Sequence, residues 1–200
     1  MSTQKRKYEL KARAESQRRT RERIAAAASQ LHEEVGVGKT TVADIARRAG
    51  VQRLTVYNHF ADLSELLPAC SAHWLSERPP PDPEPVFGLA DPGQRVKRAL
   101  ADFYRWYREN EAMQLHVHGE RASVPELEEW MAGTADILLA ELADALSAGF
   151  GLRGKRARSL RAHLRLALDF WTWRRLASEG LDEEGAAELM TESALAIARS

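Results

Sequence analysis

The sequence predicts an all-α protein of about nine helices, and three observations carry that prediction. Apolar residues recur every three to four positions along most of the chain, and no stretch alternates with the two-residue period of a strand. Six of the eight prolines fall within residues 79–92, which leaves the remainder open to uninterrupted helices. No internal repeat divides the chain.

Taken in order, the first helix is expected from Glu15 to Glu34, where Ile24, Ala27, Ala28, Leu31 and Val35 share helical spacing. Gly36 and Gly38 end it. A short helix follows from about Thr41 to Arg48, with Asp44 three residues after Thr41 as in a capping box. Gly50 and Val51 make a turn, and a second short helix runs from Gln52 to about His59. A longer helix spans Leu63 to Glu77, with Pro68 in its first turns. Arg78 to Pro92 reads as a stiff, extended connector without helix. Asp91 and Pro92 then open a helix from Gly93 to Asn110. A shorter piece covers Ala112 to Ala122. Ser123, with Glu126 three residues on, starts a helix that runs to about Ala148. Gly149, Gly151 and Gly154 interrupt, one helix spans Lys155 to Ser178, and Asp182 begins the last, to Ala198.

Apolar residues make up 44% of the 200 and charged residues 29%, the balance of an ordinary soluble domain. The longest apolar run is five residues, far short of the roughly 20 that span a membrane. Met1 to Lys11 is not followed by the apolar core of a secretory signal. A single cysteine, Cys70, excludes an internal disulfide framework and a cysteine-based zinc site. These features predict a cytoplasmic location with no membrane partner. The net charge of zero is unevenly spread. Residues 1–62 hold 13 Lys and Arg against 7 Asp and Glu, and residues 63–200 hold 16 against 22. A basic front and an acidic rear suit different partners. Residues 1–62, which carry the basic arm, and residues 63–200 are read as two units.

Residues 41–60 form a short helix, a glycine turn and a second short helix, the helix-turn-helix arrangement. Ala46 and Ala49 provide the small residues that let the two helices approach, and Gly50 provides the turn. With Val56 at the centre of the buried face, Phe60 lies 40° away at 100° per residue. Leu54, Tyr57 and Asn58 then point outward or sideways, with Thr55 on the flank. Such a face suits double-stranded DNA better than water alone. Thr55 and Tyr57 offer hydroxyls to phosphates, Asn58 can address adenine, Leu54 can touch a thymine methyl, and Arg53 can reach guanine or phosphate.

These residues resemble the tetracycline-repressor (TetR) family of transcriptional regulators. The resemblance rests on Thr20–Ile24, Thr40–Val51, Thr55–Phe60 and Leu66–Leu67, and it covers residues 20–67, about a quarter of the chain. Its most specific part is Thr55-Val56-Tyr57-Asn58-His59-Phe60 placed after Ala49-Gly50-Val51. The resemblance implies a homodimer with one helix-turn-helix per subunit and a helical effector-binding domain. It also implies that Thr41, Thr55 and Tyr57 sit at phosphates and that Gln52 to His59 form the recognition helix. Two positions depart from the family pattern. Leu63 stands where a basic residue is usual, and Leu54 where a small residue is common. Leu54 is therefore expected to make a base-methyl contact that narrows the preferred site.

The basic arm from Lys5 to Arg23 is expected either to follow the DNA backbone or minor groove or to remain solvated. In the rear half, Phe103, Trp106, Met113, His116, Trp130, Met131, Leu138, Phe170 and Trp173 are candidates for an apolar effector pocket, or else core. His116 and His118, two apart, face different sides of a helix, so no metal site and no cofactor are expected. The last two helices read as a dimer surface. Leu160, Leu164, Leu168 and Trp171 form one stripe and Leu166, Phe170 and Trp173 another, beside an alanine-rich final helix. A bundle of those helices across a two-fold axis would set two recognition helices about 34–36 Å apart. The expected function is a ligand-responsive regulator, a repressor released by a small apolar or amphipathic effector. The competing reading is an architectural DNA-binding protein or an activator without an effector. No nucleophile elbow, phosphate loop or metal motif supports an enzyme.

Overall fold

The computed structural model describes residues 3–199, with side chains from Lys7 onward. Lys5, where the basic arm begins, lies outside the residues whose side chains are described. Among the described residues there are twelve helical segments and no strand, against the nine helices expected. The extra segments come from two helices that break and from one inside the proline-rich stretch. None of the helices is long and apolar enough to cross a membrane.

The described residues up to Pro79, together with Leu115–Trp130, form one compact unit. Its first helix, α1 (Thr3–Val35), begins well before the expected Glu15. Ile24, Ala27, Ala28 and Leu31 are buried on one side of it. Val35 is instead 40% exposed, and Val37, beyond the glycine turn, takes the buried position. α1 packs against α2 (Val42–Ala49) and α4 (Leu63–Glu77), and α2 packs against α3 (Arg53–His59). Asp62 caps α4 by accepting from the Glu65 backbone N–H at 3.0 Å, and the Glu65 carboxylate accepts from the Ala61 N–H at 2.9 Å. Pro68 is carried inside α4, whose buried side holds Leu66, Leu67, Cys70 and Trp74.

The second unit comprises Pro80–Gln114 and the described residues from Met131 onward. The connector expected to lack helix contains one turn of it, α5 (Glu84–Phe87). Pro85 lies in the first helical positions, where the missing N–H costs nothing, and Val86 is buried. α6 (Pro92–Glu109) starts as expected, with Asp91 accepting from the Gln94 N–H at 2.7 Å. α7 (Glu111–Gly119) leads into the first unit, and α8 (Pro125–Gly133) leads back out. Ser123 does not cap α8, since its hydroxyl donates to the Glu120 carbonyl at 3.0 Å. The single helix expected from Ser123 to Ala148 is divided at Thr134 (φ −132°, ψ −84°), after which α9 runs Ala135–Ala148.

The helix expected from Lys155 to Ser178 is likewise two, α10 (Gly154–Ala167) and α11 (Phe170–Ser178). Asp169 caps α11 through the N–H groups of Trp171 and Thr172. The Tyr104 hydroxyl donates to the Ala167 carbonyl at 2.7 Å and the Tyr107 hydroxyl to the Leu168 carbonyl at 2.8 Å. These bonds satisfy acceptors at the end of α10 that a continuous helix would have used. The break also resets the apolar stripes. Leu160, Leu164, Leu168, Phe170 and Trp173 are buried, whereas Leu166 is 58% and Trp171 44% exposed. α12 (Glu183–Arg199) packs on α6 and α10, and its buried Ala186, Ala187 and Ala194 permit close approach.

Candidate nucleic-acid interface

The interface candidate is assembled from α2, its glycine turn and α3. Thr41 stands in extended conformation before α2, and its hydroxyl oxygen accepts from the Asp44 N–H at 3.2 Å. Ile45, Ala46 and Ala49 bury the inner face of α2. Gly50 ends the helix at φ +65°, a left-handed conformation that costs residues with a side chain about 1–2 kcal/mol. The Val51 N–H then reaches back to the Ala46 carbonyl at 2.9 Å, closing the turn. Arg48 grips Glu34 with two bonds of 2.6 and 2.7 Å, fastening α2 to α1 and holding the Glu34 carboxyl below its ordinary pKa.

α3 buries only Val56, with Phe60 just beyond it, each 2% exposed. Gln52, Arg53, Leu54, Tyr57 and Asn58 are exposed, while Thr55 and His59 are half-buried. Leu54 and Tyr57 retain 66% and 54% of their surface, an unusual display of apolar area on a seven-residue helix. Gln52 precedes α3 without a side-chain capping bond. The structure therefore brings Gln52, Arg53, Leu54, Tyr57 and Asn58 onto one accessible surface, with Thr55 and His59 at its edges. Thr41 is also exposed, at the start of the supporting helix.

Arg21 was not singled out by the sequence reading. Its guanidinium lies 3.9 Å from the centre of the Phe60 ring and donates to the His59 carbonyl. It holds the end of α3 against α1, a cation–π contact joined to a hydrogen bond. Only its place in the Thr20–Ile24 run pointed to it. Glu120 was also missed. Its carboxylate accepts from the Gly38 N–H at 2.7 Å and lies 3.2 Å from His116 Nδ1. A side chain at Gly36 (φ +94°) would collide with that carboxylate, so the turn after α1 requires glycine there.

The pocket candidates separate. His116 and Trp130 belong to the first unit, both half-buried. In the second unit Phe103, Met113, Met131, Phe170 and Trp173 are buried and Trp106 half-buried, whereas Leu138 is 65% exposed. Tyr107 stands at the centre of the aromatic group. Its ring lies 5.5 Å from Phe170, 5.6 Å from Trp106, 5.9 Å from Trp173 and 6.1 Å from Phe103. Burial pushes the Tyr104 and Tyr107 phenols well above their ordinary pKa, so both act as neutral donors.

Residues 24–70 match the family described as bacterial regulatory proteins, tetR family. That family consists of regulators rather than enzymes. No curated protein matches the chain. Among solved structures, a Clostridium perfringens protein named as a candidate regulator of fatty acid metabolism is 18% identical. It aligns with a TM-score of 0.62 over 86% of this chain and 96% of its own. NalD, the secondary repressor of the MexAB-OprM multidrug efflux pump in Pseudomonas aeruginosa, is 22% identical, with a TM-score of 0.57. The alignment covers 90% of this chain and 96% of NalD. A TetR transcription regulator from Haloarcula marismortui is 17% identical, with a TM-score of 0.56 and coverage of 90% and 96%. At these identities the likeness is one of fold.

Proposed function

We propose that the chain, whose residues 24–70 match the tetR family of bacterial regulatory proteins, is a ligand-responsive repressor acting as a homodimer in the cytoplasm. The observation that carries the reading is the outer face of α3. Leu54 and Tyr57 stand exposed between the polar side chains of Gln52, Arg53 and Asn58, on a helix whose other side is buried by Val56 and Phe60. A face of that composition fits base edges and phosphates of a major groove. In this reading Thr41, Thr55 and Tyr57 hold phosphates, Gln52, Arg53, Asn58 and His59 address phosphates or base edges, and Leu54 touches a thymine methyl. Residues 1–62 bind DNA, and residues 63–200 dimerise and take up the effector.

The outward faces of α10, α11 and α12 support the dimer. Leu166, Trp171 and Leu189 are exposed there at 58%, 44% and 44%, beside the small, exposed Ala162 and Ala196. The aromatic group around Tyr107, with Phe103, Trp106, Phe170 and Trp173, is the proposed contact surface for an apolar or amphipathic effector. The effector shifts a two-state equilibrium away from the state in which both recognition helices match successive major grooves.

Selection of duplexes from a randomised 40-base-pair library by the purified chain tests the reading. The expected result is a palindrome with half-sites one helical turn apart. The Leu54→Gly variant is expected to bind with a relaxed preference at one position of each half-site. Recovery of no enriched duplex would overturn the proposed function.

A further inference from the structure

Upstream of the family match, α1 continues as helix back to Thr3, and residues 7–19 are exposed on every side. Among its described residues, the exposed pairs Arg19–Glu15 at 2.7 Å and Arg18–Glu22 at 3.2 Å brace this arm. The arrangement of charge along it is not random. Lys7, Lys11, Ala14, Arg18 and Arg21 follow one another at intervals of four, three, four and three residues. At 100° per residue they fall within an arc of about 80°, and from Lys7 to Arg21 they span about 21 Å. Between Lys11 and Arg18 the surface dips into a shallow depression over Ala14 and Glu15. Glu15 and Glu22 border the stripe on one side, and Arg13, Arg19 and Arg23 project from other faces.

The lower end of the stripe fixes its direction. Arg21 donates to the His59 carbonyl and lies over Phe60, at the end of α3. The basic stripe thus occupies the side of α1 that meets the recognition helix and continues from it. We propose that this helical arm is a second DNA-binding element, which lays Lys7, Lys11 and Arg18 along the phosphates of the duplex beside each half-site without reading bases. The inference rests on the DNA-binding reading of α3. A duplex is the occupant because the charge is complementary and because the stripe ends against the last turn of the proposed recognition helix. A span of about 21 Å covers about six base pairs at 3.4 Å each.

The test compares the full chain with a Lys7→Gln/Lys11→Gln/Arg18→Gln variant on the duplexes that the unaltered chain selects. Glutamine preserves helix propensity. Each phosphate contact contributes about 0.9 to the slope of log K against log salt. The variant is expected to lower that slope by about 3 for one arm and about 5 for two, and to shorten the hydroxyl-radical footprint beside each half-site. The rank order of the selected sequences should not change. A Lys7→Arg/Lys11→Arg variant, which keeps charge, should behave as the unaltered chain. An unchanged slope in the glutamine variant, at unchanged helicity by circular dichroism, would overturn the role of the arm while leaving α3 intact. A changed rank order would show that the arm reads bases, against the proposal. Failure of the unaltered chain to select any duplex would instead overturn the reading of α3.

Discussion

Individual residues reveal how tightly the first unit is fastened. His32 is 3% exposed, and burial brings its pKa down to about 4, partly opposed by the Glu120 carboxylate. Its Nδ1 lies 3.7 Å from the Cys70 sulfur, and burial pushes that thiol up to about 12. His32 is therefore neutral in the folded chain throughout the physiological range. The unfolded chain takes up a proton on it below about pH 6.5, so between that value and about 4 the unfolded state binds more protons. Stability must fall as the pH falls through this window. Urea unfolding at pH 7.5 and 5 should show a loss of about 2 kcal/mol attributable to His32, absent in a His32→Gln variant. An equal loss in both proteins would assign the pH dependence to other groups. Nothing in the sequence distinguished His32 from a surface histidine, because the Cys70 sulfur it lies against is 38 positions away.

The helices show where sequence pattern is a sufficient guide. The turn around Gly50 and both flanking helices were legible because their determinants are local. Thr41 caps, Gly50 turns, and Val56 and Phe60 repeat at four residues. The start of α6 at Asp91 and Pro92 was legible for the same reason. The divisions at Thr134 and at Leu168–Asp169 were not, since apolar spacing continues through both. The second division is stabilised from a distance, by tyrosines 63 and 61 residues away along the chain. Tyr107→Phe leaves the buried Leu168 carbonyl without that donor and is expected to cost about 1–3 kcal/mol in chemical unfolding. The ring itself would keep its contacts with Phe170 and Trp173. A cost near zero would mean that the break between α10 and α11 is set without Tyr107, by Asp169 and the Tyr104 bond.

For the whole molecule, composition gave the class and the asymmetry of charge but not the arrangement of the rear half. Residue type and spacing point to the candidate pocket residues, but they cannot separate Phe170, fully buried, from Leu138, mostly exposed. The same limit applies to Leu166 and Trp171, whose exposure follows from the division of the helix that carries them. If these residues form the dimer surface, sedimentation should give twice 22.4 kDa for the unaltered chain. Leu166→Glu should then yield a folded monomer whose affinity for the selected palindrome drops by at least tenfold. A monomeric unaltered chain would remove the basis for two recognition helices at fixed spacing.

The composition of the first unit has a practical consequence. Its sequence is discontinuous, because Leu115–Trp130 returns to it after the excursion through α5 and α6. Glu120, which secures the Gly38 amide and fills the space over Gly36, belongs to that returning piece. A fragment cut after Pro79, or a hybrid grafting residues 1–79 onto a foreign partner, would separate the helix-turn-helix from the Glu120 brace that completes its unit.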